Sequence, residues 1–182
     1  MSELEQTPDV FTVDYIGEPG ARTFFLQTQL EGVPTSFLVE KQQVAVLADR
    51  LREVLLMIDS DDTIKSAVTS RDPGLTPLEP VEPGWRIGNM ALAYDEASDM
   101  IIILLEEARA EEEADAASEP DPDASAARIM LRRDQARSFL LHAIAVVDEG
   151  RPICQLCGLP MDPAGHKCPA SNGHHPHATP EI

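Results

Sequence analysis

The sequence predicts an α+β protein. Two βββα repeats form largely antiparallel sheet, as one sheet or two, packed with two amphipathic helices and followed by a zinc-ribbon-like tail. Three observations predict this. Six short segments are rich in alternating, β-branched and aromatic residues. Two longer segments carry apolar residues at helical spacing, and each follows three strands. All three cysteines fall in the fifteen residues from Cys154 to Cys168, beyond the second helix.

Residues 1–9 are acidic and polar and read as a frayed terminus. Val10–Ile16 is the first expected strand, and Gly17-Glu-Pro-Gly20 is a turn signal. Arg22–Leu30 and Val33–Glu40 form a hairpin around Glu31-Gly32, with Pro34 at a strand start, where its missing donor costs least. Lys41–Ile58 then places Val44, Leu47, Ala48, Leu51, Val54, Leu55 and Ile58 on one helix face. Residues 59–84 hold four prolines (73, 77, 80 and 83) and read as a linker or covering loop. Trp85–Tyr94 is the fourth strand, with Trp85 expected in core or sheet-edge packing. Met100–Leu105 is an apolar run suited to a buried central strand. Residues 106–123 carry nine acids and one arginine and read as a disordered excursion. Ala127–Arg132 returns as the sixth strand. Arg133–Glu149 is the second helix, with Phe139, Leu140, Val146 and Val147 on its apolar face and Gly150 and Pro152 stopping it. His142 lies beside that face and reads as a satisfied surface or boundary histidine.

The third strand and helix of each half superpose at an offset of 92 residues. Phe37 then falls on Ile129, Val39 on Leu131, Lys41 on Arg133, Gln43 on Gln135, Leu47 on Phe139, Val54 on Val146 and Leu55 on Val147. Apolar matches arise between any two amphipathic helices; a cation followed two residues later by glutamine is more telling. The expected organisation is a duplicated core over 10–150, with halves at about 10–58 and 85–149, and a tail over 151–182.

Cys154-x-x-Cys157-Gly158 lets one tight turn aim two thiolates at one ion, and Gly158 suits the left-handed backbone of such a knuckle. His166-x-Cys168 supplies a second pair after a loop containing Pro160, Pro163 and Gly165. The expectation is structural Zn2+ held by Cys154, Cys157, His166 and Cys168, because four protein ligands leave no open position. A redox pair at Cys154 and Cys157 is the competing chemistry, and it wants a helix N-terminus that this stretch lacks. His174, His175 or His177 can replace His166.

The net charge of −18 repels polyanions, so neither nucleic acid nor an anionic membrane is an expected partner. No run of about 18 apolar residues is present. The acidic start lacks the marks of a signal peptide, and a cytoplasmic protein is expected. Ser70-Arg71-Asp72 and the Asp59, Asp61, Asp62 group lie in loops and carry no recognised motif. No phosphate-cradling glycine loop, His-Glu-x-x-His or Gly-x-Ser-x-Gly occurs, so no catalytic residue is assigned.

Gly150-Arg-Pro-Ile-Cys154-Gln-Leu-Cys157-Gly158-Leu-Pro160-Met through His166-Lys-Cys168-Pro169 resembles the C-terminal signature of the actinobacterial family labelled domain of unknown function 3090. Trp85-Arg-Ile-Gly88, the acidic tract and Arg133-Asp-Gln-Ala-Arg137 resemble it too. Ala170 stands where members often carry a basic residue. The resemblance implies an internal repeat and no activity. The expected function is a non-enzymatic accessory protein, stabilised by zinc, that binds another protein. The alternative is an enzyme or small-ligand binder using a groove between the two repeats.

Overall fold

A computed structural model of the chain describes residues 3–18, 21–59, 68–108, 125–149, 154–158, 161 and 168–171. The chain divides into two units, Met1–Val147 and Asp148–Ile182.

The first unit is α+β. Its strands are β1 (Glu3–Gln6), β2 (Val10–Ile16), β3 (Thr23–Leu30), β4 (Val33–Val39), β5 (Pro83–Asp95), β6 (Met100–Glu107) and β7 (Ala126–Leu131). Helix α1 (Lys41–Ile58) follows β4, and α2 (Arg133–Asp148) follows β7. The strands form one mixed sheet in the order β1-β7-β6-β5-β4-β3-β2. Four pairings are antiparallel, and β1–β7 and β4–β5 are parallel.

Strand β1 corrects the expectation of a frayed terminus. Glu3-Leu-Glu-Gln6 lacks a strong local strand signal, and its order comes from pairing with Ala126–Ile129. The acidic stretch is also trimmed, because Glu106 and Glu107 belong to β6. Residues 109–124 lie outside the described residues.

The sheet cannot be flat. Strands β1 and β2 stand at opposite ends of the order, yet only Thr7–Asp9 separate them. Seven strands about 4.8 Å apart would hold the outer strands roughly 29 Å apart, whereas the four steps from Gln6 to Val10 span at most about 14 Å. The sheet therefore curls until its ends meet. The Thr28 hydroxyl of β3 donates to Gln6 Oε1 of β1 at 2.7 Å across that junction.

One apolar core joins the helices to the sheet. It takes Phe11 and Val13 from β2, Leu26 from β3, Phe37 and Val39 from β4, and Ile101 and Ile103 from β6. The helices add Leu47, Leu51 and Leu55 from α1 and Phe139, Leu140 and Val146 from α2. Each helix reaches toward the first long strand of the other three-strand group. Phe139 of α2 stacks on Phe11 of β2 at 4.5 Å, and α1 packs against β5. Trp85 packs on Phe37 at 4.8 Å.

The helix starts share a device. Gln43 Oε1 accepts from the Glu40 N–H at 2.9 Å, and Gln135 Oε1 accepts from the Arg132 N–H at 3.1 Å. Each satisfies a donor at its helix start. Gln43 Nε2 donates onward to the Gly88 and Ile87 carbonyls, and Gln135 Nε2 to those of Pro8 and Asp9.

The connection after α1 is a covering strap. Its 3-10 turn, Pro73–Leu75, rests beside β2, and Leu75 is buried. Thr12 donates to the Leu75 carbonyl at 2.5 Å. Gln27 accepts from the Leu78 N–H at 2.8 Å and donates to the Leu78 carbonyl at 3.0 Å, and Gln29 reaches the Thr76 carbonyl at 3.3 Å. These bonds satisfy glutamines that lie buried on the sheet.

Candidate metal centre

Cys154 opens a tight turn over residues 155–157, closed by the Gly158 N–H donating to the Cys154 carbonyl at 2.8 Å. Gly158 has φ +71°, the left-handed region that a side chain disfavours. The turn leaves Leu156 exposed at its tip and brings Cys157 back toward Cys154. Cys154, Cys168 and Met161 form a small buried cluster, with Cys157 packed against it. A short 3-10 turn, Pro169–Ser171, follows Cys168.

The three Sγ atoms all lie within 4.8 Å of one another, and those of Cys154 and Cys168 are 3.8 Å apart. A tetrahedral site with metal–sulfur bonds of about 2.3 Å has an edge of about 3.8 Å. None of the three cysteines is in a disulfide. The donors therefore fit a metal ion, and three thiolates favour soft or borderline metals such as zinc. The Cys157 and Leu156 N–H groups point at the Cys154 sulfur and, with smaller help from the other two cysteines, hold its thiol down at about 7. That stabilises the anion that a metal needs. His166, His174, His175 and His177 lie outside the described residues.

A family model described as "Protein of unknown function (DUF3090)" matches residues 5–168. The chain belongs to this family. No curated protein and no solved structure matches it. The DUF3090 match runs from β1 to the third cysteine, so the sheet and the whole thiol triad lie within one family unit. The histidines at 174, 175 and 177 fall beyond it.

Arg71, Asp72, Asp59 and His142 of this DUF3090 chain have structural partners. Arg71 makes a two-pronged ion pair with Asp14, both contacts at 2.9 Å. Asp72 accepts from the Gly74 N–H and so caps the 3-10 turn. Asp59 ties the end of α1 to Arg133 and Arg137 of α2. Asp61 and Asp62 lie outside the described residues. His142 is buried, which corrects its expected surface or boundary position. Its Nδ1 accepts from the Asp72 N–H at 3.0 Å, so its Nε2 carries the proton that bonds the Val13 carbonyl at 3.1 Å. Burial holds its pKa below the ordinary histidine value. No described helix is long and apolar enough to cross a membrane.

A cleft of about 520 Å3 lies between α1 and β5; the alternative reading of the sequence expected a groove, but not these lining residues. Glu40, Gln43, Val46 and Arg50 line one wall, and residues 88–92 line the other. Gly88 holds β5 close to β6, since a Cβ there would stand 2.8 Å from the Ala108 backbone. The cleft joins segments distant in sequence, so no local pattern marks it.

Proposed function

We propose that this chain is a non-enzymatic accessory protein, built from two βββα halves and stabilised by structural Zn2+, that binds another protein in the cytoplasm. The converging, buried thiols carry this reading. Cys154, Cys157 and Cys168 supply three ligands, and His166 is the fourth, with His174, His175 or His177 as its alternatives. Such a closed site stabilises its segment and leaves no position for substrate. The cleft supports the same reading, because among the described residues only Glu40 and Arg50 of its lining are charged, and they do not make a general acid–base pair.

Several observations support the two halves. Strands β2-β3-β4 and β5-β6-β7 are both antiparallel meanders leading into a helix. Strand β1 pairs parallel with β7 before β2 pairs antiparallel with β3. Likewise the start of β5 pairs parallel with β4 before its remainder pairs antiparallel with β6. Gln43 and Gln135, 92 positions apart, make the same bonds to their own helix starts and to the other half.

Elemental analysis of the purified chain tests the metal. About one zinc per chain is expected, lost when Cys154, Cys157 and Cys168 are replaced by serine. Metal-free protein under reducing conditions, with Cys154 and Cys157 freely alkylated, would falsify the assignment.

A further inference from the structure

We infer that the strap after α1 carries a proton-operated latch: protonation of His142 frees the turn Asp72–Leu75 from α2 and β2 and gives solvent access to Thr12 beneath it. The inference concerns the sheet unit and does not depend on the metal reading.

His142 is 2% exposed and stands where α2, β2 and the strap meet. The Asp72 N–H donates to its Nδ1, and its Nε2 donates to the Val13 carbonyl. One ring nitrogen must accept while the other donates, and only the neutral ring does both. Turning the ring over exchanges the nitrogens and leaves the demand unchanged. A second proton has to enter at the nitrogen facing Asp72, where two donors then confront each other.

The charges around the ring do not rescue the cation. On the strap Arg71 opposes it and Asp72 favours it, and on β2 Asp14 favours it. Asp14 is already engaged by Arg71 through two contacts at 2.9 Å, and Asp72 Oδ1 accepts from the Gly74 N–H at 2.8 Å. One turn away on α2, Ser138, Phe139, Ala145 and Val146 carry no charge. Burial of the ring is the largest influence, and it works against the charged form.

The turn is built to leave as a unit. Its own bonds are internal, since the Leu75 N–H donates to the Asp72 carbonyl at 3.0 Å and the Gly74 N–H to the Asp72 side chain. Among the described residues, its ties to α2 and β2 are the His142 bond, the Thr12 hydroxyl on the Leu75 carbonyl, and the buried Leu75 side chain. Anchors flank it: Arg71 on Asp14 before it, and Leu78 held at both backbone groups by Gln27 after it. Between those anchors the turn swings out, exposing Leu75 and the wholly buried Thr12. Opening lets His142 take up one proton from solvent, so the opening equilibrium rises up to about tenfold per pH unit below about pH 6.5.

The experiment is amide hydrogen exchange on the full-length protein from pH 7.5 to 5.0, with protection corrected for the pH dependence of intrinsic exchange. Protection at Asp72, Gly74 and Leu75 should fall below pH 6.5 by up to about tenfold per unit, while Ile101 and Ile103 of β6 stay protected. His142→Gln keeps an acceptor and a donor but takes no proton, so its strap protection should not vary with pH. Nuclear magnetic resonance of the unsubstituted protein, with labelled histidine, gives a second readout should that variant not fold. The His142 ring and the Leu75 amide should then titrate with one midpoint. Strap protection that is flat with pH, or that falls equally in His142→Gln, overturns the latch. So does a His142 titration that leaves the Leu75 amide unmoved. Strap protection that rises on acidification overturns it in favour of an ion pair between His142 and Asp72. Loss of protection in the strap and β6 together overturns it in favour of a role in global stability alone.

Discussion

His142 sits in the core with both ring nitrogens engaged, so charging it breaks the bond from the Asp72 N–H. Its folded pKa lies below its unfolded value, which is about 6.5. Below that pH the unfolded chain takes up a proton that the folded chain resists. Its contribution to stability is therefore complete above pH 6.5 and is lost as pH falls toward the folded pKa. The local electrostatic setting includes Arg71, which opposes the charge, and Asp14 and Asp72, which favour it. Urea unfolding at several pH values should show a slope of up to about 1.4 kcal/mol per pH unit from this one proton. Substituting His142→Gln should remove that component; an unchanged slope would show that other groups set it. At the tail, Cys157→Ser removes one of three converging thiols. Metal content should fall to zero and hydrogen exchange in residues 154–171 should accelerate, while the melting transition of the sheet persists. Global unfolding of that variant would refute a local role for the metal.

Among the elements, the two helix starts offer a matched comparison. Replacing Gln43 with Ala removes a cap to the Glu40 N–H and a link to β5, and Gln135→Ala does the same at Arg132 and the link before β2. Each should cost about 1–2 kcal/mol in denaturant unfolding. Unequal costs, with one near zero, would argue against equivalent halves. In the strap, Leu75→Ala should cost about 2 kcal/mol, since the side chain is buried but lies near the surface. Strands β2 to β7 and both helices were legible because their signal is local, as the buried alternation of Phe11 and Val13 or the spacing of Leu47, Leu51 and Leu55 shows. Strand β1 was not, because its partner lies more than a hundred residues away. The connection after α1 reads as a linker or covering loop, but where it sits could not be read: Leu75 lies among prolines, and Gln27 and Gln29 look solvent-facing until the strap covers them. The cysteine triad was legible from spacing alone, whereas Met161 beside it was not.

For the sheet unit as a whole, Arg133 is a tie point. It bonds Asp99 and Tyr94 at the β5–β6 hairpin and the Ile58 carbonyl and Asp59 at the end of α1. Asp99 holds its unusual φ of +56° beside this arginine. The Tyr94 hydroxyl, then Arg133, keep Asp99 ionised at lower pH than usual, and Asp99 and Asp59 hold the Arg133 charge more firmly than usual. Arg133→Ala should lower the melting temperature at neutral pH, and the difference should shrink in high salt as the ion pairs of the parent are screened. A salt-independent difference would point to lost packing instead. The short Thr7–Asp9 link has a consequence in time. Strand β1 leaves the ribosome before the other six strands described, yet its partner strand starts at Ala126. At roughly 5–20 residues per second, it waits on the order of 6–25 s for that partner. Until then the nascent chain exposes a bare edge to other strands. Its acidic Glu3-Leu-Glu-Gln6 sequence would keep that edge from recruiting the wrong neighbour before synthesis delivers the right one.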